Sequence, residues 1–160
     1  MIVVSDSSPL IALSCVDRLD LIELLFGTIL VPVAVRDEVM GEAVKIATEL
    51  PPFIRVESCA AELPIRFLKL HLHSGESEAI SLALERGAQG IILDDKQARE
   101  IAAELGLKVI GTLGLLILAK QKGLLAEVRP IMSQIIERIN FRLAPSVLNR
   151  ALSLLDEPEL

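Results

Sequence analysis

The sequence predicts an α/β fold of three layers, with a mostly parallel central sheet of four or five strands and helices on both faces. Three observations predict it. Short apolar runs rich in β-branched residues stand at 2–4, 28–31, 90–93 and 108–110, and none shows the apolar–polar alternation of a half-exposed strand. Each run is followed within a few residues by a helix-opening signal: Pro9 after a serine pair, Pro32, Asp94-Asp95, or Gly111-Thr112. Finally, 160 residues that are 52% hydrophobic but only 2% aromatic suit one domain whose core is Leu, Ile, Val and Ala.

Taken in order, residues 2–4 form a strand that runs into Asp6, and Ser7 or Ser8 caps the helix whose first turn holds Pro9. Apolar residues at helical spacing cover 10–16 and 19–26, with Asp17 and Asp20 between them and Gly27 as the stop. Strand 28–31 leads through Pro32 into a helix holding Val35, Glu38 and Val39. A helix over 42–50 is expected next, halted by Pro51-Pro52, and then a short edge strand at 53–56. Residues 57–64 read as loop and 65–70 as a weak helix. Ser74 caps a strong helix over 75–86 that Gly87 ends. Strand 90–93 ends in Asp94-Asp95, and an amphipathic helix over 97–105 closes at Gly106. Strand 108–110 passes through Gly111-Thr112 into an apolar helix over 113–122, whose Leu115, Leu116 and Leu118 serve the core or a dimer face, the core being preferred. Helices over 127–139 and 145–155 complete the chain. With no repeat, low-complexity segment or linker, residues 1–160 read as a single domain, its motifs within 1–125 and its last helices within 126–160.

The net charge of -6 argues against a broad basic surface for nucleic acid, but not against a local basic rim or an acidic site offset by metal. Cys15 and Cys59 belong to no CxxC and no Cys/His cluster, so they read as small buried thiols in a reducing cytoplasm. No basic n-region precedes an apolar stretch at the N-terminus, and the apolar run 113–119 falls far short of the ~20 residues that span a bilayer. A cytoplasmic protein without membrane association is therefore expected. The four phenylalanines, Phe26, Phe53, Phe67 and Phe141, are expected mostly in the core and lend little support to base stacking.

Four acids carry the chemistry. Asp6 and Asp94 follow strands, Glu38 lies in the helix after the second strand, and Glu76 lies in the first turn of the helix over 75–86. Singly, each has a structural reading: Asp6 as a cap, Glu38 as a solvated helix residue, Glu76 as an answer to the helix dipole. Jointly they point to the carboxyl edge of a parallel sheet, where ligands bind. Converging carboxylates repel, so they need a cation or raised pKa values to coexist. Oxygen-only ligands select a hard ion, Mg²⁺ or Mn²⁺. His71 and His73 are too close together, on too loop-like a segment, to make a ligand pair. Glu78 lies two residues after Glu76, about 200° around a helix. The stripe Ala79, Ile80, Ala83 and Leu84 marks the buried face, which sets Glu76 at the edge of the sheet-facing side and turns Glu78 further away. Lys96 and Arg99 either contact phosphate or form a solvated face pairing with Glu100 or Glu104. Thr112 reads as a helix cap.

Four segments in order, Val3-Val4-Ser5-Asp6-Ser7-Ser8-Pro9-Leu10-Ile11, Pro32-Val33-Ala34-Val35-Arg36-Asp37-Glu38-Val39, Gly75-Glu76-Ser77-Glu78-Ala79-Ile80-Ser81-Leu82-Ala83 and Ile91-Ile92-Leu93-Asp94-Asp95, resemble the PIN domain nucleases. Through Val109-Ile110-Gly111-Thr112-Leu113-Gly114 the chain is also similar to a prokaryotic subgroup related to VapC-type toxins. The resemblance implies a PIN-like fold and a Mg²⁺- or Mn²⁺-dependent endoribonuclease, with Asp6, Glu38, Glu76 and Asp94 as metal-binding catalytic acids. It implies Ser8 as the partner that orients Asp6 and Thr112 as further support, with Lys96 and Arg99 as candidate phosphate contacts. The VapC pattern has one acid at the third motif, whereas flap-endonuclease relatives pair acids there, so Glu78 stays open as a further ligand, as does Asp95 beside Asp94. The family's usual Thr or Ser just before the fourth acid is replaced by Ile92-Leu93. By the same resemblance the substrate is RNA, one or two ions lower a water pKa and clamp the phosphate, a small antitoxin protein is the partner, and a homodimer is expected.

Two phosphoryl-transfer folds fit less well. A haloacid-dehalogenase site wants Asp-x-Asp after its first strand, where Ser8 stands. A receiver domain wants its paired acids there and a Lys closing its last strand, whereas Lys108 opens one. The alternative of another class is a catalytically silent PIN-like module that binds nucleic acid or protein, and the presence of all four acids argues against it.

Overall fold

The structure is a computed structural model and describes residues 1–41, 49–60 and 62–160. The expected helix over 42–50 falls mostly on residues 42–48, outside the described residues. In chain order the elements are β1 (Val3–Ser5), α1 (Ser7–Ser14), α2 (Asp20–Phe26), β2 (Ile29–Pro32), α3 (Val33–Met40), β3 (Ile54–Glu57), α4 (Glu62–Leu68) and α5 (Ser74–Glu85). They continue with β4 (Gly90–Ile92), α6 (Lys96–Glu104), β5 (Val109–Ile110), α7 (Thr112–Gln121), α8 (Arg129–Ile139) and α9 (Pro145–Leu154). The strands form one five-stranded sheet in the order β3-β2-β1-β4-β5, and every neighbouring pair is parallel.

Both faces of the sheet are covered, which is why its strands show no alternation. On one face Val3, Ile29, Val31 and Ile92 join Leu10, Leu13, Leu21, Leu115, Leu116 and Met132 in a core that Leu148 and Leu152 of α9 also enter. On the other, Val4, Ile91 and Leu93 pack with Ala79, Ile80 and Ala83 of α5 and Ala98 and Ala102 of α6. The three-layer α/β fold is the expected one. Leu115, Leu116 and Ala119 of α7 are fully buried in the core, as preferred, while Leu118 is only partly buried.

Three local expectations change. Ile2 is 38% exposed and precedes β1, which starts at Val3. A helix already begins at Glu62, inside the stretch expected to be loop. Phe67 on that helix is 76% exposed, unlike Phe26, Phe53 and Phe141, which pack against the core. Gly27 ends α2 as expected, at φ 70°, a conformation a side chain resists. Among the described residues no helix is long and apolar enough to cross a membrane.

Candidate active site

The chain places β1, moves outward through β2 and β3, then returns to the other side of β1 with β4. That makes β1 and β4 the switch point of the sheet, the place where open parallel sheets leave a crevice beyond their carboxyl ends. Both strands deliver an acid there: Asp6 directly after β1, and Asp94 two residues past β4. The Asp6 N–H donates to the Ile92 carbonyl at 3.0 Å, locking the two strand ends together.

Asp6 occupies the N-cap of α1, yet its side chain makes no capping hydrogen bond. It is 4% exposed, and its Oδ1 has no hydrogen-bond partner in the structure. Burial pushes its pKa from 3.8 to about 7; the Ser7 N–H opposes the rise, and the charges of Glu76, Glu38 and Asp94 add to it. Glu38 reaches the same place from α3, where the Ser7 hydroxyl donates to its Oε2. Gly75 lies between the two acids. A methyl group on it would stand 2.7 Å from Glu38 Oε1 and 3.1 Å from Asp6 Oδ1. The lack of a side chain at this buried turn of α5 is what leaves Asp6 and Glu38 a shared space.

Glu76, in the first turn of α5, accepts from the His73 N–H at 3.1 Å. Burial raises its pKa, partly offset by that hydrogen bond, and Asp95 and Glu38 raise it further. The helix begins one residue earlier than expected, with His73 at the N-cap and Ser74 inside. Asp94 is clamped by Thr112, whose backbone N–H donates at 2.7 Å and whose hydroxyl donates at 2.6 Å. The Ser8 hydroxyl and the Arg99 guanidinium also favour its charged form, but burial outweighs them and its pKa stays raised. Leu93 therefore leaves no deficit before the fourth acid, because hydroxyls from α1 and α7 arrive through space.

A cavity of about 470 Å³ opens over Asp6, Glu76, Asp94 and Asp95, with Ser8 and Lys96 and the segment 139–142 completing its wall. A second, of about 450 Å³, borders Asp6 and Glu76 from the side of Glu38, Ser7 and His73. The four acids thus border two neighbouring cavities that share Asp6, Ser8 and Glu76, with Asp94 lining the first and Glu38 the second. As the side chains stand, no three His, Cys, Asp or Glu residues among the described ones form a ready ion-holding group. The donor set nevertheless suits a hard cation: carboxylate oxygens only, one of them buried and unpartnered, facing a space kept open by glycine.

The other expected residues take various places. Ser8 serves Asp94, and it is Ser7 that serves an acid neighbouring Asp6, so the expected Ser8–Asp6 pairing is corrected; one residue in the first turn of a helix rotates a side chain by about 100°. Glu78 turns away from the crevice, accepting from the Ala34 N–H at 3.2 Å at the start of α3 and lying 3.8 Å from Lys69. Asp95 lines the cavity while its Oδ1 caps α6 through the Ala98 N–H at 2.8 Å. Lys96 faces the cavity at 92% side-chain exposure, and its 4.0 Å approach to Glu100 is too loose and wet to hold it. Arg99 does not line the cavity; it stands behind Asp94 against Gly111. Sequence reasoning missed Ser7, Gly75, His73 and the 139–142 wall. A glycine inside a helix turn, where no turn geometry calls for one, was the available signal for Gly75; the wall left none.

A family model described as DUF3368: PIN domain matches residues 2–157. The fold is similar to that of a PilT N-terminus domain protein from the hyperthermophilic archaeon Sulfolobus solfataricus, with a TM-score of 0.53 and 18% identity, covering 90% of this chain and 98% of that one. At that identity the likeness is one of fold. Comparison with curated proteins finds no match.

Proposed function

The chain belongs to the PIN domain family, whose members are in general nucleases, and from that premise we propose that it is a Mg²⁺- or Mn²⁺-dependent endoribonuclease, toxin-like in role and held by a small antitoxin. The observation that carries this reading is the unpartnered, buried Oδ1 of Asp6 facing Glu38 across Gly75 at the switch point of the sheet.

Asp6, Glu38, Glu76 and Asp94 are the residues that would hold the ion. When bound, such a cation supplies a water of lowered pKa and offsets the charge that grows on a phosphodiester during hydrolysis. The protein's own part is to present and aim the carboxylates. Thr112 fixes both oxygens of Asp94, the Ser7 hydroxyl fixes one oxygen of Glu38, and the His73 N–H fixes one oxygen of Glu76. Asp6 keeps an oxygen unspent, and with a pKa of about 7 its carboxyl is only partly ionised near neutral pH, a balance that a bound cation would shift toward the carboxylate. These hydrogen bonds hold three of the four acids at the crevice edge, so gathering them on an ion would call for side-chain rotation rather than movement of the sheet.

A protein partner and a homodimer belong to the same proposal, supported by Phe67 and Leu70, which are 76% and 72% exposed beside one another at the end of α4. The test of the activity is cleavage of single-stranded RNA in Mg²⁺ or Mn²⁺. EDTA should abolish it, and Asp6→Asn should remove most of it while the fold persists. Equal cleavage by Asp6→Asn across several RNAs would refute the role of Asp6, and no cleavage by the natural sequence would leave a binding module.

A further inference from the structure

One stretch of the active-site cavity is not acidic. Ile139, Asn140, Phe141 and Arg142, from the end of α8 and the turn after it, line the same 470 Å³ space as Asp6 and Asp94. The turn is fixed from both sides. Met132 and Ile135 bury the inner face of α8, and the Arg138 guanidinium donates to the Cys15 carbonyl at the end of α1. Asn140 closes the helix in the left-handed conformation, at φ 51°. Phe141 and Leu143 then pack against the core, while Arg142 between them is exposed. Arg142 makes no ion pair or hydrogen bond among the described residues, although four carboxylates line the cavity it borders. Lys96 is the other cation of that cavity, at the start of α6.

We propose that Arg142, with Lys96, is the phosphate-gripping part of the site, holding the backbone of single-stranded RNA so that a neighbouring phosphodiester lies over the acids. The proposal rests on the ribonuclease reading above. A chain of charge -6 with an acid-lined crevice repels a polyanion, so attraction must come from cations placed at the crevice itself. A guanidinium fork matches the geometry of two phosphate oxygens, and an unpaired one is available for them. Phe141 packs against the core with part of its surface while also bordering the cavity, and a guanidinium holding phosphate oxygens reads the backbone, which makes that contact tolerant of sequence.

The test uses the full chain carrying Asp6→Asn, so that RNA is bound without being consumed. Its affinity for a fluorescein-labelled single-stranded RNA is measured by anisotropy in Mg²⁺ over a salt series. Arg142→Ala in this background should weaken binding several-fold and flatten the slope of log K against log salt by about 0.7, the loss of one single-strand phosphate contact. Arg142→Lys should keep most of that slope, and the melting temperature of Arg142→Ala should match its parent, since no internal partner is lost. Unchanged affinity and slope would overturn the proposal, as would a loss of affinity equal at every salt concentration. Cleavage by the natural sequence is scored separately. If it is absent while Arg142-dependent binding persists, the ribonuclease reading alone falls. If cleavage is present and Arg142→Ala leaves KM unchanged, the Arg142 proposal alone falls.

Discussion

Replacing Asp6 by Asn should make the metal-free protein more stable at neutral pH while removing its activity. Asp6 is 4% exposed, and its pKa moves from 3.8 to about 7 on folding. Across that interval the native state holds a proton the unfolded chain has released, so stability falls as pH rises from about 4 to 7 and levels off above. At ~1.36 kcal/mol for each pH unit, the ionised carboxylate costs the metal-free fold about 4 kcal/mol at pH 8. The rise at Glu76 and Asp94 works in the same direction. At Glu157 burial pushes upward but hydrogen bonds from Lys120, Val128 and Arg129 hold the pKa below its ordinary value, which works the opposite way. The difference between natural sequence and Asp6→Asn cancels the contribution of Glu157 and most of that of Glu76 and Asp94, apart from their mutual repulsion with Asp6, which belongs to the Asp6 cost. Urea unfolding in EDTA, followed by circular dichroism from pH 4 to 8.5, should show the Asn variant gaining by about 4 kcal/mol over that range. A saturating divalent ion, at about 100 times its Kd, should return about 2.7 kcal/mol to the natural sequence and far less to the variant. A stability difference that is constant with pH, or one that grows as pH falls, would refute the reasoning.

Glu76→Gln should cost about 100-fold in cleavage at saturating metal. Glu78→Gln, which loosens only the start of α3, should cost about 1 kcal/mol of stability and little activity; the reverse order of activities would exchange their roles. Gly75→Ala should shift the melting temperature only slightly, since the helix preference of Ala, up to ~1 kcal/mol, is opposed by the crowding of its methyl against Glu38 and Asp6. Its methyl, 2.7 Å from Glu38 Oε1, should abolish both cleavage and the upward shift that Mn²⁺ gives in a thermal melt. Glu157→Ala leaves the Val128 and Arg129 N–H groups and Lys120 without their 8%-exposed partner, and calorimetry should show a loss of about 3 kcal/mol.

The strands β1, β2 and β4 were legible because burial on both faces demands unbroken β-branched runs, and each run ends in a residue that opens a helix. The acids were legible for a related reason: in a parallel sheet every strand points its carboxyl end at one edge, so an acid after β1 and another after β4 must meet wherever those strands are neighbours. The choice between Glu76 and Glu78 followed from helical rotation against the stripe of Ala79, Ile80 and Ala83. Contacts fixed by rotation within a single turn were not legible. Ser7 and Ser8 exchange acids over one residue, and nothing local distinguishes them. Arg142 was invisible for another reason. Its place depends on α8 packing onto α1 and on the Arg138 contact with Cys15, neither of which leaves a periodic trace near residue 142. Asp95 carried two readings from the start, and in the structure one residue caps α6 while bordering the cavity.

The pairing of β1 with β4 has a consequence for synthesis. Val4 meets Leu30 of β2 early, but β1 finds its β4 partners only at Gly90 and Ile91, and Asp94 is not clamped until Thr112 has followed. A ribosome adding ~5–20 residues per second spends roughly 5–20 s between Asp6 and Asp94. Throughout that interval the first acid exists without the fourth, and pairings of such long range form late in folding. A growing chain therefore carries no assembled crevice beside the messenger that encodes it. For the ribonuclease proposed above, strand order would delay assembly of the site until most of the chain has been made.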